Sequence, residues 1–361
     1  MKKNNLFLSM VFTSLFVISS GTDLYAQLKK ETTNILEVVS EMNIRPGNVA
    51  VNNKGVVYST IHPLGNPSIQ LVIIKDTKTF EAFPNTSWQR EADQKATASS
   101  FDTPLGITTD ENGNVWVIDM GLNLGQTRLF CFNSESKENI FSLTLPDEVA
   151  PKGSFIQDLA VDIKNGFIYL ADIANPGIVV VNIKTKAVKR LKQHPSFLSE
   201  EVDAVIDFEI VNFGGKPARV GINPITISAD KETVFYGAMN GKTWYSISAK
   251  AIRENKKEDE ILATIKKVGD KPISDGVATD KNGNHYFTNL NDKGIDIWNA
   301  KTKKLAPFIR DSRLLWLDNV SLYGEYLYIA VNQLHKTPAF TSTTDLGKPP
   351  YFIYRIKTGG L

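Results

Sequence analysis

The most regular feature of the chain is an alternation of apolar and polar residues with a period of two, in runs of five to seven broken by short polar turns. Such alternation places every second side chain on one face of a strand. The runs are grouped. A common frame, made of one or two polar or glycine residues, an alternating strand, a turn and a second strand, recurs six times. The copies are "NVAVNNKGVVYST" from Asn48, "GITTDENGNVWVID" from Gly106, "DLAVDIKNGFIYLAD" from Asp158, "PITISADKETVFYGAM" from Pro224, "GVATDKNGNHYFTN" from Gly276 and "NVSLYGEYLYIAVN" from Asn319. Most joints contain Asn-Gly, Lys-Gly or Tyr-Gly, where a hairpin needs positive φ and glycine supplies it without a Cβ clash. Third strands follow in "TRLFCFN", "GIVVVNI", "TWYSIS" and "GIDIWN", and fourth strands in "AVKRL" and "KLAPFI".

Repeats of four antiparallel strands at a spacing of 43 to 66 residues, read from those starts, predict an all-β fold, a six-bladed β-propeller. A double β-sandwich does not account for six similarly punctuated units. The strand-like segments "NILEVVSEM" and "PPYFIYRIKTG" are expected to complete a blade across the junction of the ring and remove an open edge. Helix signals are sparse, with short turns expected in "EEVDAV" and "TWYSISAKAIRENK".

Ring geometry turns positions into a candidate site. The innermost strand of every blade borders the central channel, and the meander returns the loop after the second strand to the same mouth. Residues preceding inner strands are Arg45–Asn48, Asp102–Gly106, Gln157–Asp158, Asn223–Pro224, Ser274–Gly276 and Asp318–Asn319; loops after second strands bring His62, Asp119, Asp172, Asn240, Asn289–Asp292 and Asn332–His335. From these, Asn48, His62, Asp102, Gln157, Asn223, Asn289, Asp318, Asn319 and His335 are the expected ligand-binding residues. Asp110, Asp162 and Asp280 fall beside the hairpins at the other end and are expected to hold turns.

Composition and charge narrow the picture further. A net charge of +2 gives no footprint for nucleic acid. No Ser-His-Asp arrangement, HExxH, P-loop or dinucleotide fingerprint stands at a credible position. Cys131 is the one cysteine, so no intrachain disulfide can form, and its apolar run marks it as a buried small residue. Lys2 and Lys3 precede an apolar run from Leu6 to Ile18 and a small residue at Ala26. This predicts a signal peptide over residues 1–26, a mature domain over 27–361, and a secreted or periplasmic protein, free of the membrane after cleavage and monomeric.

The stretches "RPGNVAVNNKGVVYSTIHPLGNPSIQLVII", "FPNTSW", "LGITTDENGNVWVIDMG", "FIQDLAVDIKNGFIYLADIANPGIVVVN" and "LLWLDNVSLYGEYLYIAVNQL" resemble the major royal jelly/yellow proteins, including bacterial members related to L-dopachrome tautomerase. The resemblance covers nearly all of the expected mature chain. It implies an extracellular six-bladed propeller from a family linked to dopachrome conversion, to binding of small biogenic amines and to nutritive roles. The chain departs from the insect pattern in lacking the cysteines of its disulfides. A more distant similarity, to gluconolactonase-like and senescence-marker-type lactonases, implies a channel calcium. Asn223 and Asp275 match two of its ligands, whereas "IRPGN" puts Arg45 or Pro46 where those proteins carry a first-blade acid.

Two chemistries follow from these resemblances. A tautomerase needs a base and a partner for developing negative charge: Asp275 or Asp158 as base, with Arg45, His62 or His335 as partner. Trp88, Trp316 and Phe155 are candidate walls for a flat ligand. A lactonase instead needs calcium at Asn223 and Asp275 to polarise a carbonyl. A non-catalytic binding module is the third alternative.

Overall fold

A computed structural model describes residues 36–92 and 94–359. The expected signal peptide lies outside the described residues. The structure is a ring of six four-stranded antiparallel sheets. The first blade comprises Pro46–Val51, Val57–Ile61, Leu71–Ile74 and Phe80–Ala82, and the second Pro104–Thr109, Val115–Asp119, Arg128–Phe132 and Asn139–Thr144. The third comprises Ile156–Asp162, Phe167–Asp172, Gly177–Asn182 and Val188–Arg190; the fourth Ile222–Ile227, Thr233–Ala238, Thr243–Ser248 and Lys266–Asp270. The fifth comprises Val277–Thr279, His285–Asn289, Gly294–Asn299 and Lys304–Arg310. The sixth is built from both ends of the described chain: Leu317–Tyr323, Tyr326–Val331 and Tyr351–Lys357 are completed by Glu37–Met42, which pairs antiparallel with Tyr351–Lys357. The two strand-like segments of the sequence therefore meet in one blade.

Apolar side chains fill the spaces between blades. Tyr58, Phe83, Phe101, Phe130 and Phe132 pack between the first two, and Phe235, Trp244, Phe287 and Trp298 between the fourth and fifth. Trp88 belongs to the first of these groups, 4.8 Å edge-on to Phe132, and so packs between blades rather than facing the channel. Cys131 is buried between the second and third blades. At the hairpin end, Asp110 accepts from the backbone N–H groups of Asn112 and Asn114 and from the Trp116 indole, and Asp280 repeats the backbone pattern with Asn282 and Asn284. These carboxylates hold turns.

Two features of the inner strands set up the mouth. Their register slips between Pro46 and Val49, Pro104 and Ile107, Ile156 and Asp158, Ile222 and Ile225, and Leu317 and Val320. A bulge re-aims the side chains it carries, and here these include Asn48, Asp158, Asn223 and Asp318. Glycine supplies the second feature. A Cβ on Gly106 would lie 1.9 Å from the Gln157 carbonyl oxygen, and one on Gly276 would lie 2.6 Å from the Asn319 Cα. The glycines that open two of the repeats thus let neighbouring inner strands approach.

Helix is confined to short pieces, including Ala249–Arg253, within one of the two segments expected to give turns, and Glu258–Leu262. The "EEVDAV" segment gives a single bend at Glu201 and runs into the strand Val205–Ile206. It opens an insertion between the third and fourth blades with two small hairpins, Val205–Ile206 with Glu209–Ile210 and Asn212–Phe213 with Lys216–Pro217.

Candidate functional site

The bulged strand starts gather polar side chains at the channel mouth. Asp275, 3% exposed, is the hub. Its Oδ1 accepts from the Asn223 side-chain amide at 2.5 Å and from the Gln157 amide at 3.2 Å, and its Oδ2 accepts from the Trp316 indole N–H at 2.7 Å. Gln157 also donates to the Asn223 amide oxygen at 2.8 Å. Every one of these donors is neutral. Burial therefore dominates and pushes the Asp275 carboxyl up to about 7, against the opposing pull of the Trp316, Asn223 and Gln157 hydrogen bonds. Trp316 is held at a φ of 58°, a backbone region that a bulky L-residue rarely occupies. Strain of that kind is retained where the surrounding structure over-determines a position.

Two further carboxylates lie in the channel. Asp318 accepts from Asn48 at 2.6 Å and from Asn332, and is raised well above the usual carboxylate range by burial and then by the charge of Asp275. Asp158 is raised by the same two causes in the same order. The residue is only partly buried by its exposed area, yet its carboxyl is surrounded by protein, so desolvation acts on it. His62 is buried, and its Nδ1 accepts from the Leu64 backbone N–H at 3.2 Å. That bond assigns the ring proton to Nε2, which lies 4.0 Å from Asp318 Oδ2. Burial, and then the Arg45 charge, lower the imidazole to about 3, so it is a neutral N–H donor at physiological pH.

Above this floor opens a cavity of about 360 Å³. His62, Gln157 and Asp275 are its polar floor, and Leu64, Phe155, Ile173, Met239, Trp316 and Leu334 form most of its walls. Phe213 of the insertion and Phe340 of the sixth blade roof it, 5.3 Å apart edge to face. The roof is tied by a backbone contact of 3.5 Å from Gly214 N–H to the Ala339 carbonyl. Volume, apolar walls and a few convergent polar groups are the usual attributes of a small-molecule site.

The remaining expected residues are engaged elsewhere. Arg45, expected as an electrostatic partner, makes a bidentate ion pair with Asp345 at 2.9 and 3.0 Å, donates to the Asn332 carbonyl and lies over the Tyr351 ring. Asp102 accepts from Asn123 and the Leu124 N–H and holds a loop. Asn289 is taken up by Asp292 and Asp296. Asn319 bonds both backbone groups of Val49 and so stitches the sixth blade to the first. His335 stacks on Trp316 from outside the cavity, at 5.9 Å and 15°. Asp119 and Asp172 are clamped by Arg128 and Arg190, each at 2.5 Å. Phe213, Phe340, Met239 and Leu64 were not among the expected residues; Phe213, Phe340 and Leu64 come from short elements without periodicity, and Met239 closes the fourth repeat copy as an apolar residue that the search for polar groups passes over.

The calcium ligands implied by the lactonase similarity do not fit the ion. Asn223 turns its N–H₂ toward Asp275, its oxygen accepts from Gln157, and both Asp275 oxygens already accept from neutral donors. Among the described residues no group of three or more His, Cys, Asp or Glu side chains is arranged to hold a metal ion. Calcium favours six to eight oxygen donors.

Comparison with known proteins agrees with the ring and its sequence pattern. Protein yellow of Drosophila melanogaster is 23% identical over 236 residues, covering 61% of this chain and 41% of the relative. Protein yellow of Drosophila madeirensis gives 23% over the same length, with 61% and 39% covered. The chain thus spans about two fifths of the length of these relatives. Among solved structures, a gluconolactonase from Xanthomonas campestris superposes with a TM-score of 0.56 at 11% identity, covering 89% of each chain. Virginiamycin B lyase from Staphylococcus aureus superposes with a TM-score of 0.51 at 16% identity, covering 82% of this chain and 96% of the other. At such identities these likenesses speak for the fold alone. The sequence profile described as "Major royal jelly protein" matches residues 103–355, and by that match the chain belongs to the major royal jelly protein family.

Proposed function

We propose that the protein binds a small, flat aromatic or amine-like ligand in the cavity above Asp275, and isomerises it by proton transfer. The observation that carries this reading is Asp275 itself: a buried carboxyl held by neutral donors alone, and so pushed up to about 7, on the floor of an apolar cavity walled by Trp316 and Phe155. A base with a pKa near the working pH is matched to reversible proton transfer. The ionised carboxylate takes a proton from a ligand atom next to a conjugated carbonyl. The His62 Nε2–H donates to the oxygen on which negative charge develops, and the protonated Asp275 returns the proton at another atom of the conjugated system. No electrons leave the ligand and no co-reactant is consumed. For an amine, the ionised Asp275 supplies the countercharge.

Calorimetric titration and turnover assays with a panel of catecholamines, indoles and lactones test this reading. An aromatic or amine ligand binds the wild type and at least about tenfold more weakly the folded Asp275→Asn variant, a loss of about 1.4 kcal/mol. Equal binding by that variant removes Asp275 from the site. Export belongs to the same reading: mature protein recovered from its native host begins near Gln27, and recovery of an intact residue 1–26 segment contradicts it.

A further inference from the structure

Beside the deep cavity lies a second hollow, of about 290 Å³, for which the reading above has no use. It is bounded by the Val205–Ile206 and Glu209–Ile210 hairpin on one side and by the 335–346 segment on the other, and Phe340 belongs to the walls of both cavities. Its lining differs in kind from that of its neighbour. Glu209 and Lys336 bring opposite full charges to it from its two sides, and among the described residues neither forms an ion pair. Other charged side chains close by are already matched, Asp207 with Lys293 and Arg45 with Asp345. His335 lines the same hollow, and its Nδ1 and Nε2 are both buried without a hydrogen-bond partner. A buried polar atom left unpaired costs about 1–3 kcal/mol, and here one imidazole carries two. Burial, and then the neighbouring Lys336 charge, lower it to about 4, so the neutral ring offers one donor and one acceptor.

We propose that this hollow is a second binding site, for the amino-carboxylate head of a free α-amino acid. Lys336 meets the carboxylate, Glu209 meets the ammonium, and the His335 ring, rotated within its stack on Trp316, satisfies one of its nitrogens on the ligand. The alternatives fit less well. A simple anion would be repelled by Glu209 and a simple cation by Lys336, whereas a zwitterion meets both. No trio of metal-ligating side chains is present among the described residues. Asn212 and Thr341 add neutral hydrogen-bonding capacity to the wall, and the volume admits a small or medium side chain. The site is independent of what the deep cavity holds, although Phe340 and the His335–Trp316 stack separate the two by single side chains.

Calorimetric titration of the full chain with L-alanine and L-leucine, with acetate and ethylamine as half-charged controls, tests the proposal. At least one amino acid binds with a Kd on the order of 1 mM or below, and each control binds at least about tenfold more weakly. Glu209→Gln and Lys336→Met each weaken the amino acid by about tenfold, and His335→Phe, which keeps the stack on Trp316, weakens it too. Asp275→Asn leaves it unchanged, so failure here is distinguishable from failure of the deep-cavity reading. Circular dichroism and melting curves establish that each variant is folded. The proposal is overturned if neither amino acid binds up to about 20 mM, if acetate or ethylamine binds as tightly, or if Glu209→Gln and Lys336→Met bind as the wild type does.

Discussion

Asp275 illustrates how much of the site depends on the neutrality of its neighbours. Surrounded by two amides and an indole instead of a cation, its carboxyl stays near 7 where an Arg partner would have drawn it down. The sign of the stability effect follows. A carboxyl raised in the folded state from 3.8 contributes stability that is fully present below about 3.8 and lost as pH rises through about 7. Asp158 and Asp318, raised as well, act in the same direction. Denaturant unfolding between pH 4 and 8 should therefore show wild-type stability falling across this window more steeply than that of Asp275→Asn, on the order of 1.4 kcal/mol per unit of displaced pKa. Parallel profiles would mean that Asp275 ionises at an ordinary pH. Trp316→Phe removes the 2.7 Å donor and keeps an aromatic wall, so the Asp275 titration followed by carboxyl NMR should move up from about 7. A downward move would show that another group sets the carboxyl.

Several site residues were legible at this scale. His62, Gln157, Asn223 and Asp275 stand at strand starts or after second strands, and the ring brings such positions together. The same positional rule also selected Arg45, Asp102, Asn289 and Asn319, whose partners no spacing reveals: Arg45 meets Asp345, 300 residues away. Trp88 and Trp316 read alike in the sequence, yet one packs between blades and the other lines the cavity.

At the scale of elements, the repeats were readable because period-two alternation and turn glycines are local, and five of the inner strands add a bulge that is not. A bulge changes register without changing the hydrophobic pattern. The 205–217 insertion was unreadable for a related reason: its strands are two residues long and have no period to detect. Gly214 and Gly215 turn its second hairpin at φ values of 59° and 79°. The second hairpin is exposed along 212–217, whereas Ile206 and Val211 are buried, so amide hydrogen exchange should be faster at 212–217 than in the inner strands and should slow when a ligand fills the cavity. Phe213→Ala removes half of the roof and should speed ligand dissociation more than association in stopped-flow measurements. Dissociation unchanged from the wild type would place ligand exit elsewhere.

For the whole molecule, closure is the dominant constraint. The sixth blade takes its outermost strand, Glu37–Met42, from the start of the ring, and the Asn319 side chain ties that blade to the first through Val49. A chain beginning after Met42 exposes the edge of Tyr351–Lys357 and should melt well below the longer form, with a tendency to associate through that edge. Equal melting temperatures would show that closure contributes little. The aromatic pairs between blades, such as Trp244 and Phe287 at 4.8 Å, are set apart from the mouth, so the ring can hold its shape while the mouth carries charge and strain.

The claim that joins these scales is that a ligand sits on Asp275 while that carboxyl titrates near neutrality. It is tested most directly by measuring the affinity of the tightest panel ligand from pH 5 to 9 in the wild type and in Asp275→Asn. The account predicts a break near pH 7 in the wild type, approaching a tenfold change per pH unit on one side of it, and a flat profile in the variant. The same profile in both proteins would contradict it.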